Sequence, residues 1–94
     1  MTALITGASV GIGASYAKQL AAKGTDLVLV ARDITRLEAL ASELKTKHNI
    51  KVEILQADLS DRAQLDKVCV RAAQNDIDLV VNNAGFGIKQ PFVG

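Results

Sequence analysis

With 94 residues, the chain can form at most one small domain, and its apolar content of 49% excludes intrinsic disorder. Its eleven basic residues nearly balance its ten acidic ones and are scattered without an aromatic platform, which argues against a nucleic-acid-binding protein. No apolar run approaches the roughly 18 residues that cross a bilayer, so we expect no membrane partner. The single Cys69 and the lack of a secretory signal pattern favour the cytoplasm.

Four short apolar segments alternate with three helical patterns along the chain. Strands are predicted at residues 2–6, 26–31, 51–56 and 78–82. The second and fourth of these are near-continuous runs of Leu and β-branched residues, which is typical of a parallel sheet covered on both faces. The helices are predicted from apolar residues spaced i, i+3, i+4 and i+7: Ala17, Leu20, Ala21 and Gly24; Leu37, Leu40, Ala41 and Leu44; Leu65, Val68, Cys69 and Ala72.

Several residues mark where the predicted helices begin and end. Gly24 is expected to end the first helix, and Asp33 to cap the second. The third helix would be capped by Ser60 or Asp61. The alternation of strands and helices predicts an α/β fold of the Rossmann type, a doubly wound parallel sheet with strand order 3-2-1-4. Ligands bind such sheets at the switch point between the first and fourth strands.

Three glycines stand where the first strand is predicted to meet the first helix. Gly7 allows a tight turn, and Gly11 and Gly13 remove side chains at the helix start, where free N–H groups attract phosphate oxygens. The pattern indicates a dinucleotide pyrophosphate site; the alternative is a tight turn with close helix packing and no ligand. A P-loop is excluded because Ile12 stands five residues after Gly7 and no Gly-Lys-Ser/Thr triplet occurs.

The residues at the end of the second predicted strand indicate which of two cofactors is preferred. An acid there accepts from the ribose 2′-hydroxyl of NAD, whereas a basic residue meets the 2′-phosphate of NADP. Arg32 occupies this tip and Asp33 follows, so we favour NADP(H) over NAD. Alternatively, Arg32 is a solvated loop charge and Asp33 only a helix cap.

Two further polar pairs follow the third and fourth predicted strands. Asp58 could accept from an adenine amino group while Leu59 flanks the ring, or Asp58 could simply cap the next helix. Asn82 and Asn83 could contact a ligand or satisfy backbone groups of a structural turn.

Together these segments resemble the short-chain dehydrogenase/reductase family over essentially the whole chain. Residues 6–13 match its T-G-x-x-x-G-x-G cofactor motif, Asp58 and Leu59 its adenine-contact pair, and residues 82–85 its N-N-A-G motif. The resemblance implies an NADP(H)-dependent oxidoreductase that interconverts a carbonyl and an alcohol by hydride transfer. Residues 1–94 would be its NAD(P)-binding Rossmann domain, truncated on the carboxyl-terminal side.

The resemblance also implies roles for individual residues. Ser9 and Arg32 would meet the 2′-phosphate, and Asp58 and Leu59 would hold adenine. Asn82 would steady the central strand. The cofactor phosphates and ribose would be lined by Gly7, Ala8, Ser9, Val10, Gly11, Ile12 and Gly13, and by Asn83, Ala84 and Gly85.

The catalytic set of the family is absent from this sequence. The family uses a Ser with a Tyr-x-x-x-Lys pair, but Tyr16 is the single tyrosine and Leu20 stands four residues after it. No catalytic residue is therefore assigned. Cys69 is expected to be a core contact rather than a nucleophile, and one His with one Cys gives no metal ligand set.

Three functional hypotheses follow. The first is the cofactor-binding portion of a longer reductase, which would act on a small carbonyl or alcohol and form a homo-oligomer. The second is a non-catalytic NADP-binding or sensing module. The third, a methyltransferase-like nucleotide-binding domain, is disfavoured because it expects an acid at the position of Arg32 and no N-N-A-G turn.

Overall fold

A computed structural model describes residues 1–9 and 11–83 and shows four parallel strands separated by three helices. In chain order these are β1 (Thr2–Thr6), α1 (Gly11–Ala22), β2 (Asp26–Ala31), α2 (Ile34–His48), β3 (Val52–Gln56), α3 (Arg62–Ala72) and β4 (Leu79–Asn82). The strand order is β3-β2-β1-β4, which confirms the predicted Rossmann-type sheet.

Two strands begin one residue later than predicted, at Val52 and Leu79. The residue before each of these strands forms a hydrogen bond between a backbone amide and a carboxylate side chain. The amide of Lys51 donates to Oδ1 of Asp26 at 3.0 Å, and Oδ2 of Asp78 accepts from the amide of Thr2 at 2.8 Å. Side-chain carboxylates thus align the amino ends of the strands before the regular pairing starts.

The strand register brings all four carboxyl ends to one edge of the sheet. Thr6, the last residue of β1, pairs with Val30 of β2 and with Asn82 of β4. Leu29 in β2 pairs with Ile54 in β3. The loops that follow the strands therefore emerge side by side, which is where a ligand site is expected in an open α/β sheet.

Helices cover both faces of the sheet, because successive strand residues point to opposite sides. On one face, Ile5 and Leu29 pack with Leu37 and Leu44 of α2 and with Ala17 of α1. The other face packs against α3 and the segment after it, through Leu4, Val28, Val30, Val68, Ala72, Ile77 and Val80. The predicted apolar face of α2 is confirmed, because all four of its residues are buried. On α1 and α3 the prediction is met in part, since Gly24 is exposed and Cys69 is only half-buried.

The central strands are more deeply covered than the outer ones. In β2, five of six residues are buried, whereas in β4 Val80 is the single buried residue. The prediction that the fourth strand is covered on both faces is therefore met only in part. β4 lies at the edge of the described sheet, where it has one strand neighbour.

The predicted helix boundaries are confirmed in most respects. Gly24, with φ +81°, follows the end of α1, and the Asp33 side chain caps α2 by accepting from the amide of Arg36 at 3.1 Å. Asp61, rather than Ser60, caps α3. Asn49 ends α2 in the left-handed conformation, a boundary that was not predicted. None of the described helices combines the length and apolar content needed to cross a bilayer.

Candidate functional site: a cleft at the carboxyl edge of the sheet

A cleft of about 800 Å³ opens where β1, β2 and β3 end. The amide of Ala8 donates to the carbonyl of Val30 at 3.1 Å, and the amide of Ala57 donates to the carbonyl of Ala31 at 3.0 Å. These two bonds extend the sheet pairing into the loops and fix the cleft floor. The lining residues are Gly7, Ser9, Ala31, Arg32, Asp33, Arg36, Ala57, Asp58, Leu59 and Ser60.

The three glycines at the junction of β1 and α1 meet different physical requirements. Gly7 and Gly11 have φ of +63° and +57°, in the left-handed region that favours glycine. Gly13 answers a spatial requirement instead, because a Cβ there would collide with the carbonyl oxygen of Gly7. It would also lie 3.0 Å from Nδ2 of Asn83. Close helix packing therefore explains Gly13 by itself, while Gly7 also lines the cleft.

Arg32 lies at the rim of the cleft, directly after β2, with its side chain exposed. Its backbone carbonyl accepts a 3.0 Å hydrogen bond from Nε2 of Gln56 at the end of β3. A side chain of the neighbouring strand thus holds the backbone from which the guanidinium projects.

Both carboxylate oxygens of Asp33 are engaged by Arg36. Oδ1 accepts from the Arg36 amide at 3.1 Å, and Oδ2 lies 3.3 Å from the Arg36 Nε. Asp33 is therefore committed to the first turn of α2, which confirms its predicted role as a cap. Arg36 was not predicted to be a cleft residue, although its position three residues after the cap was a usable signal.

Asp58 is held by its neighbours after β3. Oδ1 accepts from the Ser60 hydroxyl at 2.6 Å and from the Ser60 amide at 3.0 Å, and the Asp58 amide donates to Oε1 of Gln64 at 2.6 Å. The Ser60 hydrogen bonds, helped by the charge of Arg32, hold the pKa of the Asp58 carboxyl below its ordinary value. The alternative interpretation of Asp58 as the cap of α3 is wrong, because Asp61 accepts from the first amides of that helix.

The other predicted site residues differ in their burial and in their position relative to this cleft. Leu59 lines it while being only 8% exposed, and Ala8 is fully buried. Ile12, at the start of α1, is 67% exposed. Asn82 accepts from the Thr6 hydroxyl at 3.0 Å, which joins β4 to the central strand as expected. Predicted contacts at Val10, Ala84 and Gly85 lie outside the described residues.

The described residues offer little besides a binding cleft. Tyr16 lies on α1 with 44% of its surface exposed. Within residues 1–9 and 11–83, no cluster of three or more His, Cys, Asp or Glu could hold a metal ion. Cys69 is half-buried on α3.

Comparison with known proteins places this geometry in a family. The family model described as short chain dehydrogenase matches residues 1–93. A very-long-chain 3-oxoacyl-CoA reductase of Candida glabrata is 42% identical over 95 residues, which cover 97% of this chain and 27% of that protein. The chain spans 27 to 28% of the first four such curated relatives.

Solved structures agree with this placement. A short-chain dehydrogenase from Sphingobium yanoikuyae in complex with NADPH is 50% identical, with a TM-score of 0.86, over 97% of this chain and 36% of that one. The bulky-bulky ketone specific alcohol dehydrogenase from Comamonas testosteroni is 44% identical, with a TM-score of 0.87, over 97% of this chain and 37% of that one. The chain therefore belongs to the short chain dehydrogenase family and corresponds to its amino-terminal portion.

Proposed function

We propose that this chain is the cofactor-binding portion of an NADP(H)-dependent oxidoreductase that interconverts a small carbonyl compound and an alcohol. The observation that carries the proposal is the position of Arg32 on the rim of a cleft that Gly7, Ser9 and Asp58 also line. NADPH, when bound, supplies a hydride from its nicotinamide ring. The residues of this chain bind and orient the cofactor, and none is assigned to proton transfer.

The first loop fits a dinucleotide phosphate. Gly7 lines the cleft and the absence of a Cβ at Gly13 lets α1 approach the backbone of Gly7 closely. The first turn of α1 contains no acidic residue, so the positive end of the helix is not neutralised locally. Backbone amides in residues 7–13 would hold the phosphates, with Ala8, Val10, Gly11 and Ile12 as part of that segment.

The second loop favours NADP over NAD. In a site for NAD, an acid after the second strand accepts from the ribose 2′-hydroxyl. Here both oxygens of Asp33 already contact Arg36, which makes Asp33 the less available acceptor, whereas the guanidinium of Arg32 lies exposed at the cleft. Arg32 and Ser9 would bind the 2′-phosphate, since a planar guanidinium can meet a phosphate through two hydrogen bonds. The NADPH complex of the Sphingobium yanoikuyae relative supports the same choice.

The third loop would receive the adenine ring, with Asp58 accepting from its amino group and Leu59 flanking one face. The fourth strand leads to Asn83, whose amide lies close to the position of a Cβ on Gly13. Asn83, Ala84 and Gly85 would contact the cofactor ribose. The four strand ends would then each contribute to one extended cofactor.

The cofactor choice is tested by the substitution Arg32→Ala in the intact gene product. Losing a charge-assisted phosphate contact should cost roughly 1.5–3 kcal/mol, or about ten- to a hundredfold in NADPH affinity. NADH affinity should hardly change, because NADH has no 2′-phosphate. Lys47→Ala is the matched control, since it removes one positive charge at the exposed carboxyl end of α2. Equal losses for both cofactors in R32A would overturn the role of Arg32.

A non-catalytic NADP-binding module is the alternative function. The two are separated by the intact mass of the protein from its native source and by assays with a panel of carbonyls and alcohols. The reductase proposal expects a mass well above 9.9 kDa, a Ser and a Tyr-x-x-x-Lys pair in the additional sequence, and turnover with NADPH. Tight NADPH binding without turnover of any substrate would favour the module. A homo-oligomeric reductase would also show a multiple of the chain mass in solution.

A further inference from the structure

The loop after β3 contains a hydrogen-bond network that fixes Asp58 at three of its atoms. Its amide donates to Oε1 of Gln64 at 2.6 Å, and its carbonyl accepts from the amide of Asp61 at 3.0 Å. Its Oδ1 accepts from both the hydroxyl and the amide of Ser60. Backbone and carboxylate are therefore fixed together rather than independently.

This network is continuous with the cap of α3. Asp61 accepts from the amides of Ala63 and Gln64 at 3.0 and 3.2 Å, and the Gln64 side chain reaches back to the amide of Asp58. A Gln three residues after an N-cap often bonds to the amide of the cap residue itself. Here that amide is taken by the Asp58 carbonyl, so Gln64 extends the cap to the cleft. The position of Asp58 is thus tied to a regular helix.

The two carboxylate oxygens of Asp58 differ in their partners. Oδ1 receives the two hydrogen bonds from Ser60, and in the described part of the chain no hydrogen bond reaches Oδ2. A carboxylate has further acceptor capacity on both oxygens, and an oxygen without a protein donor is the more available to a ligand. Asp58 and Ser60 both line the cleft in which a donor would bind.

Resting on the proposed function, we propose that Ser60 is a positioning residue that holds Asp58 on Oδ1 and leaves Oδ2 to accept from the exocyclic amino group of a purine. In a purine with an oxo group at that position, the oxo oxygen would face Oδ2 of Asp58. Both atoms are acceptors, so no hydrogen bond forms between them. The network therefore makes the cleft selective for adenine over hypoxanthine. Ser60 would act through Asp58 and would not itself need to touch the base.

The test compares NADPH with its hypoxanthine analogue, in which the adenine amino group is replaced by oxygen, by calorimetric titration of the intact gene product. Asp58→Asn should remove most of the preference for NADPH. Ser60→Ala removes the hydroxyl and keeps the amide, so the preference should fall by about three- to tenfold, the equivalent of one hydrogen bond. Ser60→Thr should preserve the preference. Ser60→Val, in which valine has the shape of threonine but no hydroxyl, should lose it. Ser42→Ala, at an exposed position on α2, is the matched control.

The outcomes separate this inference from the proposed function. If Ser60 had only a structural role, S60A and S60V would weaken the binding of both dinucleotides equally and leave the ratio of the two affinities unchanged. That result would overturn the inference while NADPH binding stands. An unchanged ratio in D58N would overturn it as well. If the wild-type protein binds neither dinucleotide, the proposed function itself is wrong and this inference with it. A reduced ratio in S60A and S60V, with a preserved ratio in S60T, supports it.

Discussion

The hydroxyl of Thr6 donates to Oδ1 of Asn82 at 3.0 Å, although the two residues are 76 positions apart in the chain. Thr6 is fully buried at the carboxyl end of β1, and Asn82 is paired with it at the end of β4. The bond therefore joins two strands at the switch point of the sheet, where the segment of residues 7–13 with its three glycines follows β1. A polar contact at this depth fixes where the fourth loop begins relative to the first.

We expect Thr6→Val to lower the free energy of unfolding by about 1–3 kcal/mol, because the shape is retained while the buried donor is lost. Urea titration of the intact protein measures the change. Thr46→Val is the control, because Thr46 is exposed on α2 and surface changes usually stay within about ±0.5 kcal/mol. A T6V variant as stable as T46V would show that the Thr6–Asn82 bond contributes little.

The glycine loop gives a second prediction, because Gly11 and Gly13 are required for different reasons. A Cβ on Gly13 meets the backbone of Gly7, which cannot move without displacing β1, so Gly13→Ala should cost about 3 kcal/mol or more. Among residues 1–9 and 11–83, nothing lies within 4 Å of a Cβ placed on Gly11, so the expected cost of Gly11→Ala is the strain of φ +57°, about 1–2 kcal/mol.

The order of these two costs is the informative result. Urea titrations of both variants, with NADPH absent, report protein stability and not cofactor binding. If G13A were at least as stable as G11A, the close packing of α1 on the backbone of Gly7 would be wrong. The proposal that residues 7–13 hold the cofactor phosphates would then lose its support.

Most of the fold could be predicted because it depends on local patterns. The spacing of Leu37, Leu40 and Leu44 shows which face of α2 is buried, and Asp33 caps the same helix through an amide three residues away. The strand order follows from right-handed crossovers in an alternating β-α chain, together with the usual central place of the first strand. None of these inferences requires knowing which distant residues meet.

The candidate site was less accessible to prediction where the choice depended on geometry among similar neighbours. Asp58, Ser60 and Asp61 are all residues that cap helices well, and the sequence left their roles open. The structure assigns the cap to Asp61 and turns Asp58 toward Ser60. Likewise, the exposed end of β3 gave no sign that Gln56 would hold the backbone of Arg32.

The contacts of Arg71 are a further feature that sequence patterns could not predict, because they join residues far apart in the chain. Its Nε and Nη2 donate to the carboxylate of Glu53 in β3, 18 residues earlier, at 2.9 and 3.0 Å. Its Nη1 and Nη2 donate to the carboxylate of Asp76 at 2.9 and 3.0 Å. The side chain of Arg71 is only 16% exposed. Its guanidinium joins the edge strand β3, the end of α3 and the loop before β4.

This arrangement predicts how stability depends on pH in acid. The hydrogen bond from Arg71 lowers the pKa of Asp76 below its ordinary value of 3.8. Because the folded-state pKa is the lower one, the contribution of Asp76 is fully present above pH 3.8 and is lost as the pH falls through the lowered value. Asp76→Asn should therefore make the free energy of unfolding less dependent on pH below 3.8, while its value at neutral pH falls.

A double-mutant cycle with Arg71→Met assigns this effect to the pair. Removing Arg71 takes away the donor that lowers the Asp76 pKa, so R71M alone should also flatten the acid dependence. Adding D76N to R71M should then change the slope little, although R71M is less stable at every pH because Glu53 also loses its partner. Urea titrations between about pH 2.5 and 5 measure the slopes. If D76N flattened the slope as strongly in the R71M background as in the wild type, another group than Arg71 would be responsible for the lowered pKa.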